Sequence, residues 1–107
     1  KYDDITKGIA RSAGNFHPIG CDTLRSVLDH ELGHQFDSLL GLKANSEFQE
    51  IHRKYSLAQI KTELSGYGAT NKAEFIAEAW AEYTNSPAPR DIARQIGELI
   101  TRLYKGL

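Results

Sequence analysis

The chain has 107 residues, of which 40% are hydrophobic and 25% are charged, and its net charge is −1 at pH 7. This length and composition suit one compact mainly helical domain over residues 1–107, whereas the near-neutral charge disfavours nucleic-acid binding. No apolar run approaches the roughly eighteen residues that a membrane span needs, and the chain shows no signal-peptide pattern.

The first twenty residues are rich in chain-breaking residues, with Gly8, Gly14, Pro18 and Gly20. They predict a loop-rich entry with at most one short strand or hairpin near residues 9–16. Cys21 follows as the single cysteine, so the chain forms no intrachain disulfide. Because the sequence starts at Lys1, we expect a domain excised from a longer protein.

Residues 23–40 are predicted to form a helix, with Asp22 or Thr23 as N-cap and Gly41 at its end. This helix contains the motif His30-Glu31-Leu32-Gly33-His34. Two imidazoles one helical turn apart can bind one metal ion, and the glutamate between them can act as a base on water at that metal.

The motif helix has two different sides. On a helical wheel, His30, His34 and Asp37 lie nearly opposite a leucine stripe formed by Leu24, Leu28, Leu32 and Leu39. The alternative, two unrelated surface histidines, is weakened by Gly33. Glycine inside a helix costs about 1 kcal/mol relative to alanine, so its presence indicates that another part of the chain approaches closely there.

A second helix is predicted from Ser46 to about Ser65, with Ser46 and Gln49 spaced as a capping box. Its apolar stripe comprises Phe48, Ile51, Tyr55 and Ala58. A glycine-bearing loop over residues 65–69 follows it. Near the end of the chain, the Ser-Pro-Ala-Pro run after Asn85 predicts a break before a final core-packing helix that ends near Gly106.

Residues 71–83 are predicted to form a helix, and its glutamates Glu74, Glu78 and Glu82 are candidates for a third metal ligand. Glu74 and Glu78 share one face, and the apolar side chains Phe75, Ile76, Ala79, Trp80 and Tyr83 gather on the opposite one. The small residues Ala77 and Ala81 flank the glutamates and would let the two helices come close. Alternatively, the glutamates form the solvated face of an amphipathic helix.

The residues that follow His34 exclude the metzincin pattern, in which a third histidine ligand lies on the same segment. Asp37 and Leu40 occupy the places where that pattern requires Gly and His, and the chain has no methionine for a Met-turn. A glutamate ligand from a later helix is the other common arrangement.

The run from Gly66 to Ala79, whose Glu74 lies about forty residues after His34, resembles the third-ligand segment of anthrax lethal factor-type zinc metallopeptidases, which are gluzincins. The segment from His30 to Asp37 is also similar to the motif helix of that family. The resemblance spans roughly Leu24 to Tyr83, over half of the chain. It implies a zincin-like domain that binds one zinc ion through His30, His34 and Glu74.

The resemblance also implies roles for the neighbouring side chains. Glu31 would be the general base, Tyr67 would stabilise the tetrahedral intermediate, and Glu78 would lie close to the metal or behind a ligand. Each ligating histidine needs a partner on its other ring nitrogen, and Asp37 and Glu78 are the candidates.

We therefore expect a domain of about four helices that acts as a zinc-dependent endopeptidase on a peptide or protein substrate. Two alternatives stay open: a non-catalytic helical interaction module stabilised by zinc, and a zinc hydrolase of a non-protein amide. The resemblance further suggests a secreted or delivered bacterial or phage-encoded effector, a toxin-like setting. The catalytic region of that family is larger, with more sheet before the histidine helix.

Overall fold

The computed structural model describes residues 24–107, and the strand or hairpin predicted near residues 9–16 lies outside them. Within the described residues the protein is mainly α, as predicted, and contains no β-strand. Two short 3-10 turns lie at Leu42–Ala44 and Tyr67–Ala69. The five α-helices of residues 24–107 are α1 (Leu24–Leu40), α2 (Ser46–Arg53), α3 (Leu57–Glu63), α4 (Lys72–Asn85) and α5 (Asp91–Lys105).

Helix α1 ends where the sequence predicts. Gly41 follows its last residue with φ of 61° and ψ of 41°, the left-handed conformation that glycine adopts without a steric penalty. The chain then turns, and Leu42 enters the core with no exposed surface.

The single helix predicted over residues 46–65 is wrong, because the chain forms α2 and α3 instead. The capping box lies at Ser56 and Gln59, where each side chain accepts a hydrogen bond from the backbone N–H of the other. These bonds stabilise a new helix start and compete with continuation of α2. Asn45 caps α2 by accepting from the Phe48 backbone N–H, so Ser46 and Gln49 are not the capping pair.

Helix α4 lies at the centre of the domain, packed between α1 and α5. Its apolar face joins a core to which α2, α3 and α5 also contribute. The last helix packs against the core as predicted, with Ile92, Ile96, Leu99 and Ile100 buried and Leu103 partly buried. The buried core residues are Leu42, Phe48, Ile60, Leu64, Phe75, Ile76, Ala79, Ile92, Ile96, Leu99 and Ile100.

The contact between α1 and α4 depends on small residues. A Cβ atom built on Gly33 would lie 2.7 Å from the Ala77 Cα and 3.3 Å from its carbonyl oxygen. The close approach predicted from Gly33 is therefore confirmed, and it brings the faces that carry the histidines and the glutamates together.

The leucine stripe lies on the other side of α1 and is largely exposed. Leu28, Leu32 and Leu39 are 61%, 42% and 59% exposed. A leucine stripe usually marks the buried face of an amphipathic helix, but here α1 turns its polar side towards α4. No helix within residues 24–107 is long and apolar enough to cross a membrane.

Candidate metal centre

Three predicted ligands meet where α1 packs on α4. The Nε2 atom of His30 lies 3.1 Å from Glu74 Oε2, and the Nε2 atom of His34 lies 3.0 Å from Glu74 Oε1. The histidines share a face because four residues separate them on α1. Glu74 sits in the first turn of α4, where its backbone N–H donates to the capping side chain of Asn71 at 2.9 Å.

The dimensions of this cluster suit one metal ion. Each of the three residues offers a ligand atom, and these atoms lie within 4.8 Å of one another. Ligand atoms placed about 2.0–2.1 Å from a tetrahedral zinc ion are separated by about 3.3 Å. The two nitrogen–oxygen separations are close to that value, so small side-chain movements would complete the geometry.

Glu78 fixes the orientation of His30. Its Oε2 lies 2.9 Å from His30 Nδ1, and its side chain is only 1% exposed. A carboxylate can only accept, so Nδ1 is the protonated nitrogen in this hydrogen bond. In the neutral ring, Nε2 then presents its lone pair towards Glu74, as metal ligation requires.

Glu74 Oε2 carries a further indication of a cation. This oxygen is buried and, with His30 neutral and protonated at Nδ1, accepts no hydrogen bond from the described residues, because the Nε2 lone pair faces it at 3.1 Å. Buried carboxylate oxygens without a hydrogen bond are costly, and a cation shared between the nitrogen and the oxygen would stabilise both.

The electrostatics of the cluster also favour positive charge. Burial lowers the pKa of His30, but its hydrogen bond to Glu78 and the charges of Glu78, Glu74 and Glu31 outweigh that effect, and the net pKa is raised. The carboxylates that stabilise a proton on this imidazole would equally stabilise a metal cation.

Glu31 and Tyr67 lie beside the three ligands. The Tyr67 ring is 6.1 Å from the His30 ring between centroids, and its residue is 39% exposed. The charge of Glu74, followed by burial and the charges of Glu78 and Glu31, raises the pKa of Tyr67, so it stays a hydrogen-bond donor at neutral pH. Glu31 is exposed, and its charge acts on both His30 and Tyr67.

The second candidate partner for a histidine, Asp37, has a different neighbour. Its carboxylate is 9% exposed and lies 3.2 Å from Lys43 Nζ. Among the described residues, it makes no hydrogen bond with His34. The structure therefore places Glu78, and not Asp37, at a ring nitrogen of a candidate ligand.

One residue of the site was missed by the sequence analysis. Ser65 donates from its Oγ to Glu78 Oε1 at 2.9 Å and is only 4% exposed. A single serine in a loop has no spacing pattern, so no signal in the sequence marks it.

Comparison of the chain with protein-family models, with curated proteins and with solved structures gave no match. The resemblance to lethal factor-type peptidases therefore rests on the motif residues, and the site is interpreted from its own geometry.

Proposed function

We propose that the protein is a zinc-dependent endopeptidase in which His30, His34 and Glu74 bind one zinc ion. The observation that carries the proposal is the position of the Glu74 carboxylate. Its two oxygens lie 3.0 and 3.1 Å from the two imidazole Nε2 atoms, and the buried Oε2 accepts no hydrogen bond from residues 24–107 when His30 is neutral.

The number and exposure of the ligands favour a catalytic site over a closed structural one. Structural zinc sites have four protein ligands, whereas catalytic sites have three and leave one position open. Within residues 24–107 the cluster has three members, and their side chains are 16%, 28% and 16% exposed for His30, His34 and Glu74. Solvent and substrate can thus reach this side of the cluster.

The chain supplies the groups that peptide hydrolysis needs. A bound zinc ion would acidify water and polarise a substrate carbonyl. The Glu31 carboxylate accepts the proton of the attacking water and delivers it to the leaving amine. The Tyr67 hydroxyl donates to the oxyanion that develops on the carbonyl, while Glu78 keeps His30 in the required orientation.

Zinc content tests the ligand assignment first. Wild-type protein purified in the presence of zinc should hold one equivalent by mass spectrometry, and Glu74→Ala should hold almost none, because two imidazoles alone bind zinc weakly. Glu98→Ala, an exposed glutamate on α5, is the matched control and should keep its zinc. Equal zinc in wild type and Glu74→Ala would overturn the assignment.

Glu31→Gln tests the step from metal site to enzyme. This variant should keep its zinc and its stability but cleave a peptide library at least about 100-fold more slowly, because the amide cannot accept the proton. Glu98→Gln should cleave like the wild type. A zinc-loaded wild type without peptidase activity would favour the interaction module, and cleavage restricted to acylated or cell-wall amides would favour a different hydrolase.

A further inference from the structure

Ser65 lies in the loop between α3 and the turn that carries Tyr67, and it makes two buried hydrogen bonds. Its Oγ donates to Glu78 Oε1 at 2.9 Å and accepts from the Gly68 backbone N–H at 2.9 Å. One hydroxyl therefore contacts both the glutamate behind His30 and the turn that holds the tyrosine.

The first of these bonds continues to the candidate metal ligands. Glu78 has two carboxylate oxygens, and Ser65 occupies one while His30 Nδ1 donates to the other at 2.9 Å. With Oε1 anchored by Ser65, the carboxylate plane is fixed and Oε2 stays aimed at the imidazole. The bond between Glu78 and His30 is of the kind that orients a metal ligand and raises its basicity, and Ser65 holds the carboxylate that makes it.

The second bond fixes the turn over residues 67–69. Gly68 packs so closely on this loop that an added Cβ would lie 2.8 Å from Leu64 Cδ2 and 3.1 Å from Ser65 Oγ. The turn therefore packs directly against Ser65. Tyr67 is the first residue of this turn, and its ring lies beside that of His30.

We propose that Ser65 is a positioning residue that aligns His30 for zinc through Glu78 and aligns Tyr67 through the Gly68 N–H. This inference rests on the proposed function, because it assigns Ser65 a role at the same site. It predicts that removing the hydroxyl weakens zinc binding although Ser65 itself touches no ligand atom.

The test compares zinc dissociation constants measured by competition with a chromogenic chelator. Ser65→Ala should raise the Kd for zinc about 10-fold, the lower end of the effect of losing a direct partner of a ligand, because Glu78 lies between Ser65 and His30. Thr70→Ala is the matched control, since its hydroxyl donates to the Tyr67 carbonyl oxygen at 2.7 Å in the same turn but has no bond to Glu78. Its Kd should equal that of the wild type.

A double-mutant cycle shows whether Ser65 acts through Glu78. In a Glu78→Ala background, Ser65→Ala should change the Kd by less than about threefold, because the carboxylate that it orients is gone. Circular dichroism verifies that each variant is folded. The inference about Ser65 would be overturned if the two substitutions raised the zinc Kd by independent factors that multiply in the double variant. It would also be overturned if the wild type bound zinc and Ser65→Ala had the same Kd. Neither result would overturn the proposed function.

Hydrogen exchange tests the second bond without metal. The Gly68 amide should exchange faster in Ser65→Ala than in the wild type and Thr70→Ala, since it loses its acceptor; equal rates would overturn the link to the Tyr67 turn. A wild type that fails to bind zinc would overturn the proposed function, and the zinc role of Ser65 would fall with it.

Discussion

Glu74 and Glu78 lie one turn apart on α4, but they differ in burial and in the hydrogen bonds that their carboxylates accept. Glu78 is 1% exposed, and each of its oxygens has a hydrogen-bond partner, which offsets the cost of burying the carboxylate. Glu74 is 16% exposed, and its Oε2 accepts no hydrogen bond from the part of the chain that the structure describes when His30 is neutral. The first is suited to hold a neighbour in place, and the second is suited to bind a cation.

His52, the third histidine of residues 24–107, has the opposite electrostatic environment to His30. His52 stacks on Phe48, with ring centroids 5.8 Å apart, and meets the edge of Phe75 at 4.8 Å. Burial lowers the pKa of His52, and the positive charge of Lys72 lowers it further. The folded protein therefore favours the neutral ring, in contrast to His30.

This lowered pKa predicts a pH-dependent stability that belongs to His52. Between its lower folded value and the ordinary value of 6.5, the unfolded chain binds more protons than the folded one. The contribution is therefore complete above pH 6.5 and is lost as the pH falls below it. His52→Phe keeps the aromatic packing, so it should lose less stability than the wild type between pH 7.5 and pH 5.5.

Urea unfolding at both pH values measures the effect, and all other titrating groups are common to the two proteins. Their contributions cancel in the difference between wild type and variant. Parallel loss of stability in both proteins would contradict the assignment to His52.

At the scale of helices, the site depends on how closely two backbones approach. Gly33 on α1 faces Ala77 on α4, and Trp80 Cβ would lie 3.3 Å from a Cβ at Gly33. Larger side chains here would separate the helix that carries His30 and His34 from the one that carries Glu74.

Gly33→Ala tests this packing. Helix propensity alone would stabilise α1 by about 1 kcal/mol, but the added methyl would lie 2.7 Å from the Ala77 Cα, a backbone atom that can only move with its helix. Overpacking of this kind costs about 1–3 kcal/mol, so we expect a net loss of stability and weaker zinc binding. Gly106→Ala has neighbours no closer than 3.5 Å and should leave both unchanged.

Both quantities come from one preparation, the stability from urea unfolding and the zinc Kd from chelator competition. If Gly33→Ala were more stable than the wild type and bound zinc equally, the close approach would have no bearing on the site.

These elements also show what the sequence could and could not predict. The histidines, Glu74 and Glu78 could be predicted to face one another, because helical spacing of four fixes a shared face and Gly33 marks a close contact. The division of residues 46–65 could not be predicted, because Ser46 and Gln49 have the same spacing as Ser56 and Gln59, and spacing alone does not show which pair forms the capping hydrogen bonds. The polar side of α1 is buried because it packs against α4, which lies far away in the sequence. The hydrophobic periodicity of α1 alone does not show this contact.

Across the whole molecule, one arginine connects three parts of the fold. The Arg90 guanidinium donates to the carbonyl oxygens of Thr62 and Leu64, at 3.0 and 2.7 Å, and to Glu82 Oε1 at 2.7 Å. It thereby links the end of α3 and the start of α5 to the middle of the domain. Leu64 directly precedes Ser65, so the bond from Arg90 to the Leu64 carbonyl oxygen also restrains the loop that carries Ser65.

Arg90→Ala should therefore destabilise the entire domain. Glu82 is 1% exposed, so the variant would leave a buried carboxylate without its cation, a change that typically costs about 3 kcal/mol. A domain of this size has a free energy of unfolding of roughly 5–15 kcal/mol, so the loss is a substantial share. Arg94→Ala breaks the exposed pair with Asp91 and should leave the stability nearly unchanged, because solvent screens that pair.

Urea unfolding followed by the fluorescence of Trp80, the single tryptophan, measures both variants. Equal stabilities for Arg90→Ala and Arg94→Ala would show that the buried pair adds nothing beyond a surface one. We expect only Arg90→Ala to lose stability. It should also bind zinc more weakly, because the Leu64 carbonyl oxygen, next to Ser65, loses its hydrogen-bond donor.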